Sequence, residues 1–414
     1  MLDLLKYSTI YEVNIRQYTT EGTFNAFAKH LPRLHKMGIK IIWLMPITPI
    51  GKVKRLNSLG SYYACSRYTE INEEFGNLID FKNLVNQIHA LDMHIIIDWV
   101  ANHTAIDHLW ALQNPSWYEH NEHGDFVEKN GWTDVIDLDY TNESMQTEMI
   151  LSMQYWIKET NIDGFRCDMA HLVPLKFWQK ARLACDSLKQ QIWLGEFENT
   201  AYHEVFQISY AWWWMHETER YQKKETDLQQ IIQVLHQYSQ YPQNALKLYY
   251  TSNHDENSWN GTEIEKYKQN GLLWAVFSFT WINGIPLIYS GQEIPNDKRL
   301  LFFDKDCIDW NKPLLNEKLY SKLISLKLHN KALHCGEINI LPTNQSDVLA
   351  YILKKDNHVV LVILNLGDNN KIKLPVNHPW LQGSFINLVN DLTFNFDLNT
   401  YFELSAHTFI VYYR

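Results

Sequence analysis

From its start to about residue 330 the chain alternates short β-branched or aromatic runs with longer helical patterns, and few folds accept that alternation. Eight runs can be counted: "TIYEVNI" (9 to 15), "KIIWLMPI" (40 to 47), "HIIIDWV" (94 to 100), "DGFRCD" (163 to 168), "IWLGEF" (192 to 197), "FQISYAW" (206 to 212), "LYYTSN" (248 to 253) and "PLIYSGQE" (286 to 293). The sixth carries the weakest signal. Between most of them lie amphipathic stretches such as "NAFAKHLPRLHKM" (25 to 37) and "DFKNLVNQIHALDM" (80 to 93), with apolar residues near the 3.6 period. Eight strands with eight crossovers predict an α/β chain folded as a (β/α)8 barrel.

Two segments depart from the alternation. Residues 104–141 contain Pro115, a "NEHGD" turn and three Trp but no long helical pattern, which predicts a small subdomain inserted after the third strand. From 335 to 414 the texture becomes alternating strands, with a hairpin turning near Asp356 and Asn357, which predicts a C-terminal antiparallel β-sandwich. The barrel is then expected over 1–103 and 142–334.

Composition removes several classes of function. A formal charge of −10 with scattered Lys and Arg provides no basic face for nucleic acid. No stretch reaches the ~18 uninterrupted apolar residues of a membrane span. Five cysteines, an odd number without a C-x-x-C pair, make neither a disulfide framework nor a zinc site, and suit a reducing compartment. The opening "MLDLLKYSTIYEVNI" lacks a basic segment followed by a long apolar one, so the expected location is cytoplasmic; a periplasmic or secreted chain trimmed of its leader would read the same. The oligomeric state, monomer or otherwise, is open. Sixteen Trp and 23 Tyr exceed what is usual. Core filling accounts for most of them, and the remainder suit a sugar cleft, where flat pyranose faces stack on rings.

Chemistry in such a barrel sits at the C-terminal ends of the strands. There the sequence repeatedly places polar groups: Asp98, Asn102 and His103 after the third, Arg166 and Asp168 on the fourth, Glu196 on the fifth, His254 and Asp255 after the seventh. Arg166 and Asp168, two residues apart on a strand, point to the same side. A lone Asp beside an Arg is ordinarily a buried ion pair. Three carboxylates from three strands would instead repel one another unless a reaction needs them. Paired carboxylates suit glycoside cleavage, one attacking the anomeric carbon and another protonating the departing oxygen.

The stretches "DWVANH" (98 to 103), "GFRCDMAH" (164 to 171), "GEFEN" (195 to 199) and "SNHDEN" (252 to 257) resemble, in order, the four principal motifs of the α-amylase family of retaining glycoside hydrolases. "GIKIIWLMPITPI" (38 to 50), "IDLDY" (136 to 140) and "GIPLIYSGQE" (284 to 293) resemble three weaker ones. The resemblance spans about residues 9 to 310 and implies that Asp168 is the nucleophile, Glu196 the general acid/base and Asp255 the third carboxylate. Arg166 would keep Asp168 ionised. Glu196 would hold its proton beside two anions and the flanking Trp193 and Phe197. By the same resemblance Asp98 belongs to the substrate site, His103 and His254 bond sugar hydroxyls, and Tyr63 stacks beneath the ring; a structural role stays open for either His. Trp213 and Trp259 are read as sugar contacts or as core.

The resemblance also implies Ca²⁺ at Asn102 and Asp137, although two oxygen donors fall short of the six to eight this ion takes. No organic cofactor is expected. Arg67 stands before Tyr68 where the family usually has Asp, which puts a contact near the cleft in question. His171 and Leu172 replace a frequent Lys-His pair, and the short insertion predicts an open cleft. "IDLDY" is closer to the "LPDLD" form typical of α-amylases than to the "QPDLN" form of exo-acting relatives. The chain reads as beginning directly at the first strand, so the extra N-terminal domain common in branching, debranching and cyclodextrin-degrading relatives is not expected. The expected activity is endo-hydrolysis of α-1,4-glucosidic bonds in starch, glycogen or maltooligosaccharides. A 4-α-glucanotransferase or exo-acting maltooligosaccharide hydrolase is the alternative enzyme. A catalytically silent carbohydrate-binding or interaction protein is the alternative class.

Overall fold

The computed structural model describes residues 2–369, 372–375, 378–397 and 400–414. The eight runs become eight strands: Ile10–Val13, Ile41–Leu44, His94–Val100, Gly164–Asp168, Ile192–Gly195, Ile208–Tyr210, Leu246–Tyr249 and Gly284–Tyr289. They close into a parallel barrel in chain order. Almost every strand residue is buried, because barrel strands are covered on both faces and read as continuous apolar runs. The registers that matter for chemistry are Asp98 opposite Arg166, Val100 opposite Asp168, and Cys167 opposite Gly195.

Most boundaries differ from the sequence reading by a few residues, for local reasons. The seventh strand ends at Tyr249 rather than near 253. Asn253 turns the chain there, its side chain accepting the Glu256 N–H at 2.7 Å and its carbonyl the Asn257 N–H at 3.0 Å. The single helix expected over 25–37 is two, Phe24–Ala28 and Leu31–Met37. Pro32 has no N–H to bond the carbonyl four residues back, so one helix cannot run through. By contrast Leu78–Ala90 forms as its pattern dictates: Asn77 and Asp80 make a capping box, and Phe81, Leu84, Val85 and Ile88 bury one stripe.

The described residues form two compact units. One comprises Ile10–Tyr210 with Arg299–Trp310 and holds the first six barrel strands. Within its segment 104–141, helix Leu109–Gln113 is followed by strand Val135–Asp137, which pairs antiparallel with His103–Ala105 and sets Asp137 opposite His103. The other comprises Leu2–Thr9, Ala211–Lys298 and Asn311–Arg414. It ends in a six-stranded antiparallel sheet and a two-stranded sheet, Ile372–Pro375 with Tyr401–Leu404. Val348, Ile352, Leu361 and Phe385 of the larger sheet share one core with Ile372, Leu374, Phe402 and Leu404 of the smaller, as in a sandwich. The predicted hairpin is present, with Lys355 opposite His358 and Asp356 at φ 53°. No helix among the described residues is long and apolar enough to cross a membrane.

Candidate active site

Arg166 lies at the centre of the first unit's polar cluster, fully buried. Its Nη1 donates to Asp168 Oδ1 at 2.8 Å and to Asp98 Oδ1 at 3.1 Å, and its Nε donates to the Tyr210 hydroxyl at 3.1 Å. Its Nη2 is 2.8 Å from Glu196 Oε2, at ion-pair distance but without the angle of a hydrogen bond. Rings of Trp43, Tyr210 and Tyr63 surround the guanidinium at 5.1, 5.5 and 5.9 Å. Burial works against the charge, but Asp98 and Glu196 outweigh it and hold the group protonated well beyond the ordinary arginine range. Arg166 therefore serves three carboxylates, where the sequence implied one. A planar fork with several donors can do this and an ammonium cannot.

Glu196 directly follows the fifth strand and is almost entirely buried. Its Oε2 also accepts the Met169 N–H at 2.9 Å. Met169 adopts φ 41°, ψ 42°, a left-handed conformation that costs a non-glycine residue roughly 1–2 kcal/mol. The amide immediately after Asp168 thus faces Glu196 just where the chain leaves the strand. The expected apolar flank of Glu196 is not there. Trp193 packs on Phe165 and Phe206 and donates to Asp186, while Phe197 packs on Tyr202, His203 and Phe206. Side chains alternate along a strand, so both rings fall on the face away from Glu196.

In the second unit His254 and Asp255 occupy a helical turn five and six residues beyond the seventh strand, with His254 Nε2 3.2 Å from Asp255 Oδ2. Trp259 lies on the same loop and is 52% exposed. Trp213 is 44% exposed and stacks on Tyr238 at 5.9 Å. Tyr238 in turn lines a groove beside Lys247 and Asn283.

The family model described as "Alpha amylase, catalytic domain" matches residues 12–123 and 110–325. The chain belongs to the α-amylase family. It is an enzyme of the glycoside hydrolase type. Alpha-amylase 3 of Dictyoglomus thermophilum is 22% identical over 450 residues, covering 89% of this chain and 88% of its own. An alpha-1,4-glucan:maltose-1-phosphate maltosyltransferase of Picrophilus torridus is 24% identical over 435 residues, covering 96% and 65%. Among solved structures, the noncanonic maltogenic alpha-amylase AmyB of Thermotoga neapolitana superposes with a TM-score of 0.90 at 29% identity, covering 100% of this chain and 99% of its own. An alpha-amylase from Lactobacillus plantarum superposes with a TM-score of 0.90 at 27% identity over the whole of both chains.

Several details of this α-amylase family site were not legible beforehand. Asp98 accepts from Trp43 Nε1 at 3.2 Å and from the Tyr63 hydroxyl at 3.1 Å, so Trp43 and Tyr210 belong to the cluster, although the motif stretch that contains Trp43 gave it no role. For Trp43 a signal existed: it pairs with Ile96, two residues before Asp98 on the same face. Tyr63 lies nearly parallel to Phe302 at 6.3 Å. His103 is buried against Trp132, and burial pushes its pKa down to about 4, so it is neutral at working pH. Arg67 does not dislodge Tyr68: its Nη1 turns back to Ser66 O at 2.6 Å, and the Tyr68 hydroxyl donates to Val100 O at 2.8 Å. His171 Nδ1 reaches Glu196 O at 3.2 Å.

Asn102 and Asp137 line one cavity of about 190 Å³ with Glu119 and Lys129. Asp137 Oδ1 is buried without a hydrogen-bond partner, and burial raises this carboxyl to about 6. Its Oδ2 accepts the Lys129 N–H at 3.0 Å, the Asn102 amide nitrogen faces His103 Nδ1 at 3.3 Å, and the Lys129 ammonium pairs with Glu119. No group of three or more His, Cys, Asp or Glu among the described residues is arranged around a metal position. One open carboxylate oxygen beside a lysine does not fit a resident Ca²⁺ with six to eight oxygen donors.

Proposed function

We propose that this enzyme hydrolyses internal α-1,4-glucosidic bonds of starch, glycogen or maltooligosaccharides with retention. The observation that carries the reading is one buried guanidinium touching both Asp168 and Glu196, an arrangement suited to the short separation of about 5–5.5 Å that retaining pairs use. Asp168 attacks the anomeric carbon while the bond to the departing glucan breaks, and Glu196 passes its proton to that glucan's oxygen. Glu196 then takes a proton from water, whose oxygen attacks the same carbon and frees Asp168. Since Oε2 of Glu196 takes the Met169 N–H and faces Arg166, the transferable proton resides on Oε1. Asp255 is the third carboxylate and holds hydroxyls of the distorted sugar, with Tyr63, Asp98, His103 and His254 as further sugar contacts.

A second reading places a sugar rather than water on the glycosyl enzyme. The maltosyltransferase among the relatives and the maltogenic structural neighbour favour keeping it. A time course of products from soluble starch and maltoheptaose, with Asp168→Asn as blank, separates the two. Mixed short oligosaccharides early establish endo-hydrolysis, chains longer than the input establish transfer, and one small product establishes exo-action. No turnover on any α-glucan overturns both.

A further inference from the structure

Directly behind Asp255 the chain forms a π-helical turn, Glu256–Asn260, closed by the Gly261 N–H donating to Glu256 O five residues back at 2.9 Å. Such turns are uncommon and occur frequently at functional sites. This one is held by charge. Glu256 is almost wholly buried; its Oε1 accepts from Asn260 Nδ2 at 3.0 Å and its Oε2 meets the Lys266 ammonium. Lys266 comes from helix Glu263–Tyr267, whose start is fixed by a Thr262 and Glu265 capping box. Its ammonium also lies 2.5 Å from Glu219 Oε1, on helix Trp212–Gln222. One buried cation thus ties the turn behind Asp255 to two helices. Moving Glu256 away from Lys266 would leave a buried carboxylate unpaired, which is strongly unfavourable. Asp255 directly precedes this turn, so the turn's backbone sets the point from which its carboxylate extends toward His254 Nε2 at 3.2 Å.

We infer that Lys266, acting through Glu256, is a positioning residue that sets Asp255 for the transition state; this rests on the role proposed for Asp255 above. The test is a double-mutant cycle on a chromogenic maltotrioside, comparing the wild-type enzyme with Lys266→Met, Lys266→Arg, Asp255→Asn and Asp255→Asn/Lys266→Met, with circular dichroism and melting curves. A misplaced carboxylate costs about 10²-fold, so Lys266→Met lowers kcat by about 30–300-fold with KM within about 3-fold, and Lys266→Arg retains more. In the Asp255→Asn background the same change costs less than about 3-fold, because the group it positions is already gone. If the two losses multiply, or KM rises while kcat holds, the inference is overturned. Should Lys266→Met not fold, Glu256→Gln completes the same cycle, since it keeps the size of the side chain and an acceptor for Asn260. Wild-type activity in Asp255→Asn overturns the role of Asp255 itself, a result distinct from multiplying losses.

Discussion

Arg166 on the fourth barrel strand and Lys327 on helix Glu317–His329 both lie wholly out of water, with opposite outcomes. Arg166 is met by Asp98, Asp168 and Glu196 and keeps its proton against the cost of burial. Lys327 Nζ has no hydrogen-bond partner, and burial alone pushes its pKa down to about 7. The interior keeps a charge where a fork-shaped group meets several carboxylates, and discharges it where nothing answers. The first arrangement serves chemistry. The second weakens the fold.

The sharpest way to break this contrast is to leave Arg166 in place and remove what it holds. Asp168→Asn lowers kcat by several orders of magnitude with the fold retained, and a variant keeping more than about a tenth of the activity would show that Arg166 serves a structural ion pair. Arg166→Lys comes next: it keeps the charge but not the fork, and steady-state kinetics should show kcat down about 10²–10³-fold. Equal activity would mean that charge alone suffices. Lys327→Met should act in the opposite direction and raise Tm by a few degrees. The penalty from Lys327 is full below about pH 7, where the folded chain carries a buried charge, and fades as pH rises toward the ordinary lysine value of 10.5. The gain in Tm is therefore largest at pH 6–7 and shrinks toward pH 10; a gain independent of pH would point to packing alone. The smallest effect is expected from a chelator. With Lys129 in the cavity lined by Asn102 and Asp137, melting curves with EDTA and with added Ca²⁺ should coincide within about 1–2 °C. A large drop with EDTA would establish a resident metal.

How much of this was legible depended on how local the cause was. The eight strands followed from runs of six to eight residues rich in β-branched and aromatic side chains, and Asp168, Glu196 and Asp255 stood out because they lie at or just beyond the C-terminal ends of such runs. Period-two alternation places Trp193 and Phe197 away from Glu196, a rule the sequence contained and the reading did not apply. Lys327 also left a trace: it continues the stripe of Tyr320, Leu323 and Ile324 at helical spacing, where a lysine is unexpected. The short insertion was visible as a segment without periodicity, but not the cavity that Lys129 and Asp137 share, since those residues meet through a loop.

By itself, then, the sequence determined the order of strands and helices, the chemistry available at strand ends and the family those motifs mark. Backbone sterics and side-chain periodicity act over a few residues, and a few residues suffice to read them. Only the tertiary structure decided which charges meet: that Arg166 reaches Asp98 and Glu196 as well as Asp168, that the Met169 amide turns onto Glu196, and that Lys266 anchors the turn behind Asp255. Those contacts join groups far apart in the chain through strand register and helix packing. Whether a buried charge finds its partner is set by the assembled molecule.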